Sequence, residues 1–498
     1  MRLLRLLALL VVGLLAAAVV GPAGAAACPP SRQNTLRNPL VLNTADPQIS
    51  YQNGFYYLLR TEGSGVSIIQ SASITGLSTA TPHRVWTGSA DAASRCCDIW
   101  APELHRINGK WYVYYTADDG NIDHHNMYAI EADTTDPLGT YHFKGQLSSG
   151  SFSIDGSILQ QPDGSLYLLY SKADSLNVNS LVIAPMSNPW TTSGPPVALS
   201  RPTNSWETHI RPVNEGPTVL RHKGKLFIVF SVSACESPDY SLAMLTFTGS
   251  NVLDPASWTK STTPVFTRSD TNWVFGPGHN SFFTSPDGTE IWNAYHAVTS
   301  SNGSVVGNCG GDRSTRVQKV NWNADGTPNF GVPAASWQSM PLPSGDPGAA
   351  TVATGTYRLT PQNSTSTGLD VSGCTSANAT AVDIATYQGL ACQQWRIRYG
   401  GNGSYTITAR NSGYPLGTAG CQTARASTVD VHRAQPGDCQ SWYLDPVGDG
   451  SYRVTNRLTG QVLDIGGCSG VSGTRTDIWP YWAATTGTCQ QWSLQRIA

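Results

Sequence analysis

Apolar positions along this chain recur at every second residue in short runs, with no competing pattern at the spacing of an amphipathic helix. Runs such as Trp111–Thr116, Leu166–Ser171 and Leu226–Ser231 are strand-length and rich in aromatic and β-branched residues. Asn-Gly, Asp-Gly and Lys-Gly pairs precede such runs, which predicts β-hairpins. One stretch departs from the pattern. Arg2 and Arg5 precede an uncharged apolar run from Leu6 to Val20, and the small residues Gly21 to Ala27 follow. That is the layout of a signal peptide, expected over residues 1–25 with cleavage after Ala25. The run is too short to span a bilayer comfortably, and no later run approaches spanning length, so an exported protein with no membrane partner is expected.

The hairpins fall into two repeat systems. Toward the C-terminus, Gly-Leu-Asp-Val-Ser-Gly-Cys ends at Cys374, Pro-Leu-Gly-Thr-Ala-Gly-Cys at Cys421, and Val-Leu-Asp-Ile-Gly-Gly-Cys at Cys468, a period of 47 residues both times. Each unit closes on Cys-Gln-x-Trp, ending at Trp395, Trp442 and Trp492. Three four-stranded units around a three-fold axis would bury these tryptophans in one core. Pairing within units would give disulfides Cys374–Cys392, Cys421–Cys439 and Cys468–Cys489, each worth roughly 3 kcal/mol.

The N-terminal part repeats more faintly. A polar motif, seven to nine residues, a glycine and an aromatic-rich strand recur five times, with the glycines at 54, 109, 164, 224 and 288. Five all-β units of about 60 residues predict a five-bladed β-propeller. The whole chain is therefore expected to be all-β, a propeller over 26–340 followed by a β-trefoil over 355–498, with the Pro/Gly-rich residues 341–354 as a linker.

Composition narrows the function classes. Charged residues make up 13% of the chain and the net charge is −2, so the basic excess that phosphate binding requires is missing and no nucleic-acid partner is expected. Fifteen Trp and 20 Tyr suit uncharged ligands held by stacking and hydrogen bonding. In a propeller the first strand of each blade lines the axis, so residues at blade starts converge. Asp46, Asp155 and Glu215 stand at three of those starts. Three converging carboxylates repel when all are ionised, so at least one should keep its proton to an unusually high pH. A carboxylic acid beside a carboxylate is the equipment for glycosidic bond cleavage.

Five motifs in order carry a resemblance: Ala45-Asp46-Pro47, Trp100-Ala101-Pro102-Glu103-Leu104-His105, Ile154-Asp155-Gly156-Ser157, Asn214-Glu215-Gly216-Pro217 and Gly276-Pro277-Gly278-His279-Asn280. Over about residues 37–335 the chain resembles glycoside hydrolase family 43. The resemblance implies an inverting mechanism with Asp46 as general base, Glu215 as general acid and Asp155 tuning the acid. It also implies that Arg313 contacts the sugar, while Arg316 is structural. His279 would support the acid's surroundings or approach an axial Ca or Na ion; no cofactor is otherwise required. Trp100 and Trp273 are candidate stacking platforms. His105, His124 and His125 do not stand at metal-ligand spacing, so no protein metal site is expected, and Asp118-Asp119 reads as a solvated loop. The motifs are most similar to the family's exo-acting α-L-arabinofuranosidases. They imply release of terminal arabinofuranose, preferring α-1,5 links, from arabinan or arabino-oligosaccharides. Alternatives are a β-xylosidase or arabinoxylan debranching enzyme, an exo-β-1,3-galactanase (disfavoured by Asp46) and a non-catalytic lectin.

The Gln-x-Trp triplets resemble the ricin-type β-trefoil, carbohydrate-binding module family 13. There an Asp after the Leu accepts sugar hydroxyls and an aromatic on a facing strand stacks on the ring. The third repeat carries Asp464, Trp479 and Tyr481. The first carries Asp370 and Tyr387, with Ala385 in place of the tryptophan. The second has Gly417, His432 and Ala434 and is expected to bind no sugar. Plant cell-wall polysaccharide, arabinan or arabinoxylan, is the implied partner of a secreted monomer. Of the remaining cysteines, Cys235 and Cys309 are expected to pair. Cys96 and Cys97 either join each other or one of them pairs with Cys28.

Overall fold

The structure, a computed structural model, describes residues 32–88, 93–299, 309, 312–401, 403–481 and 487–497. The expected signal peptide and Cys28 lie outside these residues. Among the described residues no helix is long and apolar enough to cross a membrane.

The five hairpin units form five antiparallel sheets. The first comprises Gln48–Gln52, Phe55–Leu59, Gly65–Ser71 and His83–Thr87. The next three begin with Cys97–Ile107, Ser153–Gln160 and Asn214–His222. The fifth holds Phe275–Thr284, Ile291–Val298 and Ser314–Lys319. The first strands of all five line an axial channel of about 220 Å³, from Gln48, Glu103, Ser157, Thr218 and Ser281.

The fifth sheet has three strands, and the segment ahead of the first blade closes the ring beside them. The Leu40 amide donates to the Thr315 carbonyl at 2.7 Å, and the Thr315 amide donates to the Val41 carbonyl at 2.9 Å. The wholly buried Asn38 side chain extends this seam: its Nδ2 donates to the Val317 carbonyl and its Oδ1 accepts the Val317 amide, both at 2.9 Å.

The first strands of blades two to five lose register at their N-terminal ends, around Trp100, Ile154–Ser157, Glu215–Thr218 and Phe275–Ser281. These bulges coincide with the polar motifs, because an extra residue bends the strand and re-aims its side chains. The left-handed backbone of Ala101, Asp155, Gly216, Gly276 and His279 belongs to the same bulges.

The C-terminal residues fold as twelve strands in three units of four, from Gly355–Pro361 to Trp492–Arg496. Trp395, Trp442 and Trp492 are fully buried in one core, and their indole N–H groups donate to the carbonyls of Leu369, Leu416 and Leu463. All three expected disulfides form, as does Cys235–Cys309. Cys96 and Cys97 join each other.

Residues 341–354 are not a free tether. Met340–Pro341 pairs with Thr35–Leu36, Arg32 bridges Ala350, and the Asp346 carboxylate accepts the Ile74 amide. Arg37 ion-pairs with Asp445 and lies over the Tyr443 ring at 3.6 Å, and Arg453 donates to the Pro39 carbonyl. The two domains thus share a built junction.

Candidate active site

Asp46, Asp155, Glu215, His279 and Arg313 come together at the axial end where the first strands begin, although 267 residues separate the first from the last. Asp46 is buried, and its Oδ1 accepts from the Arg313 guanidinium at 2.9 Å while its Oδ2 accepts from the Thr61 hydroxyl at 2.5 Å. His279 Nδ1 and His296 Nδ1 approach Oδ1 at 3.4 and 3.2 Å. Burial pushes this carboxyl up, but the Arg313 guanidinium outweighs it and holds Asp46 well below the ordinary carboxylate range. Asp46 is therefore ionised at neutral and at mildly acidic pH.

Asp155 and Glu215 are displaced the other way. Burial raises Asp155 well above its usual range, and repulsion from Glu215 and Asp46 adds to it. Its Oδ2 accepts the Gly216 amide at 3.0 Å, which ties blade three to the bulge of blade four. Burial likewise raises Glu215, to about 7, while the Tyr240 hydroxyl, donating to Oε1 at 2.8 Å, pulls the other way. Asp155 and Glu215 cannot both ionise cheaply, so the pair keeps a proton near neutral pH. An ionised carboxylate facing a protonated carboxyl is what acid–base cleavage of an acetal requires.

The histidines of the site are neutral. Burial drives His279 down and His296 to about 4. His296 Nδ1 accepts the Asp46 amide at 3.1 Å, so it fixes the backbone of the residue it borders. The His279 amide donates to the Ser231 hydroxyl at 2.7 Å. Among the described residues, the groupings of three potential metal ligands lie at the Cys421/Cys439 and Cys235/Cys309 disulfides and do not include His279.

Three residues with parts in this site carry no motif in the sequence. Thr61, Tyr240 and His296 lie on second strands or on loops, and only the pairing of those strands brings them to the blade starts. Tyr240 leaves a trace nonetheless. A Cβ on Gly278 would lie 2.2 Å from Tyr240 Cε1, so glycine there makes room for the ring that holds Glu215.

The other candidate platforms separate. Trp100 stacks on His125 at 4.0 Å, next to Ala101, whose amide donates to the Thr61 hydroxyl. Trp273 does not join the axial cluster; it lines a cleft between the propeller and the trefoil. Arg316 is fully buried, as a structural arginine would be. Asp118 departs from the solvated loop expected of it: it is fully buried with His125 at 3.4 Å, and Asp119 alone stays at the surface.

In the trefoil, Asp370 faces Asp383 across a strand pair and Asp464 faces Asp477 in the same way. The second repeat opposes Gly417 to Asp430. The facing acids are spaced 47 residues apart, like Cys374, Cys421 and Cys468, so the period already marked them. Burial raises Asp464 to about 7 and Asp370 to about 6, and the facing Asp adds to both. One oxygen each of Asp383 and Asp477 is buried without a hydrogen-bond partner. In the second repeat His432 bonds Asp430 at 2.5 Å and fills the space beside Gly417, where a Cβ would meet the imidazole at 2.8 Å. Tyr387 lies under the Arg358 guanidinium at 4.2 Å, and Tyr481 accepts from Gln491 at 3.0 Å.

A closed ring of five sheets with buried, oppositely tuned carboxylates on its axis, joined to a three-fold lectin-like barrel, defines a carbohydrate-processing hydrolase with a sugar-binding appendage. Residues 36–328, more than half of the chain, match the family described as Glycosyl hydrolases family 43, and the chain belongs to it. Residues 391–479 match the family described as Ricin-type beta-trefoil lectin domain-like. An extracellular exo-α-(1→5)-L-arabinofuranosidase of Streptomyces avermitilis is 41% identical over 335 residues, 65% of this chain and 69% of that protein. Alpha-L-arabinofuranosidase 43 of Humicola insolens is 36% identical and is covered to 63% of its length, against 59% of this chain. The crystal structure of an α-L-arabinofuranosidase from Lactobacillus brevis superposes with a TM-score of 0.57 at 36% identity, covering 60% of this chain and 97% of that one.

Proposed function

We propose that this chain is a secreted inverting exo-α-L-arabinofuranosidase. It releases terminal arabinofuranose, preferring α-1,5 links, from arabinan or arabino-oligosaccharides. The observation that carries the reaction type is the opposite tuning of the axial carboxyls. Asp46 stays ionised beside Arg313 and serves as the base that activates water. Glu215 keeps its proton to about 7 and protonates the departing oxygen. Asp155 raises the proton affinity of the pair by repulsion and fixes the Gly216 backbone next to the acid. Arg313 bonds the base, and its sugar-contacting role is supported by family likeness. The choice of sugar and linkage is supported by likeness to the arabinofuranosidases above. Export is supported by the N-terminal charge and hydropathy pattern.

The test uses p-nitrophenyl α-L-arabinofuranoside, β-D-xyloside and β-D-galactoside, together with linear arabinan. The expected result is fastest turnover of the arabinofuranoside and free arabinose as the early product from arabinan. Glu215→Gln and Asp46→Asn should each slow turnover of arabinan by about 100-fold or more. Wild-type rates in either variant would refute the assignment of base and acid. Release of oligosaccharides would refute the exo mode, and release of xylose or galactose alone would refute the sugar.

A further inference from the structure

The third trefoil repeat does not open to bulk solvent alone. Its Asp464, Asp477, Trp479 and Tyr481 line a cleft of about 720 Å³ whose opposite wall is Trp273 of the propeller, with Arg425 of the second repeat between them. Trp273 and Trp479 are 41% and 36% exposed, unusual for the largest apolar side chain, and both face this one space. Trp273 has a left-handed backbone, φ 55, where a bulky side chain is strained. Its loop is held there by the Asn272 amide group, which donates to the Pro333 carbonyl at 2.8 Å. The Arg425 guanidinium covers the Trp273 ring at 4.6 Å. One oxygen of Asp477 is buried without a hydrogen-bond partner. Two aromatic platforms, a carboxyl pair and one guanidinium leave at most one net charge in the cleft, which suits hydroxyl-rich neutral ligands better than ions.

We propose that the fifth propeller blade and the trefoil's third repeat form one composite site for a neutral oligosaccharide. One sugar is held by Asp464 and Trp479, and the next packs on the exposed part of Trp273, beside the Arg425 guanidinium. The proposal rests on the carbohydrate-binding reading of the third repeat and adds that this repeat is incomplete without the propeller. The cleft belongs to the catalytic face. Trp273 and Thr299, both in its wall, flank Phe275 and Val298, which pair at the end of the fifth blade. Trp273 precedes His279 by six residues, so its Cα lies within about 20 Å of the axial site. A chain held in the cleft therefore passes within about 20 Å of the axial site.

The test is calorimetric binding to the full chain carrying Glu215→Gln, to suppress turnover, and Asp370→Ala, to silence the first repeat. The probes are arabinotetraose, xylotetraose and β-1,3-galactotriose. At least one should bind this parent. Apart from any arabinotetraose held at the axial carboxyls, the parent should show this second binding, and Asp464→Ala should abolish it. Trp273→Ala should weaken it by between about threefold and tenfold, and Trp273→Phe, which keeps a stacking face, should restore most of it. Binding that is unchanged by Trp273→Ala would assign the site to the trefoil alone and overturn the proposal. So would failure of all three probes to bind. Arabinose release by the chain with Glu215 intact is measured separately, so failure here and failure of the proposed activity are told apart.

Discussion

Asp46 and Glu215 begin as ordinary acids and are driven apart by what packs on them. The guanidinium of Arg313 sits 2.9 Å from Asp46, and its removal should let burial prevail and raise the Asp46 pKa. Because the base works ionised, the acid limb of kcat/KM should move to higher pH in Arg313→Ala, by about 1 unit or more. A fall in rate with an unmoved limb would mean that Arg313 only holds substrate. The Tyr240 hydroxyl has the opposite sense for the acid. Its hydrogen bond favours ionised Glu215, so Tyr240→Phe should raise the Glu215 pKa and carry the basic limb upward. Gly278→Ala, which places a Cβ against the Tyr240 ring, should move the same limb in the same direction. Opposite movements in the two variants would show that Tyr240 does not act through Glu215.

At the scale of elements, the blade starts were legible because a bulge needs a recognisable motif, and the motifs recur at similar spacing. The trefoil was legible down to its disulfides, because a strict period fixes register. What the sequence hid was cross-strand. Thr61, Tyr240 and His296 are ordinary residues until hairpin pairing delivers them to the axis, and nothing in their local pattern distinguishes them. Asp118 was misread because its neighbours are polar, although strand Lys110–Asp118 carries it inward against His125. Ring closure was also invisible, since it depends on residues ahead of the first blade meeting the fifth. Asn38 is the sharpest test of that seam. Asn38→Ala strips both backbone groups of Val317 of their partners, which should cost about 2–4 kcal/mol. The propeller's Tm should fall accordingly, with the trefoil's transition unmoved if it melts separately. An unchanged Tm would mean that the seam contributes little to closure.

The molecule as a whole carries a site that opposes its own stability. Glu215 has an ordinary value of 4.5 and is raised to about 7 in the folded protein. The folded state thus holds this proton more tightly than the unfolded chain, and stability is lost as pH rises between those two values. Glu215→Gln should stabilise the protein at pH 8 by on the order of 1–3 kcal/mol and do little at pH 4; equal effects at both pH values would deny the linkage. The same arrangement sets the working window, with the base ionised from low pH and the acid lost above neutrality. The junction that buries Arg37 and Arg453 between the domains ties the trefoil to the propeller. The central claim is that Asp46 delivers water while Glu215 protonates the leaving oxygen. Proton NMR of arabino-oligosaccharide hydrolysis, recorded before mutarotation, tests it most directly. The account predicts free arabinose appearing first as the β-anomer from an α-linked substrate. First appearance of the α-anomer would contradict it.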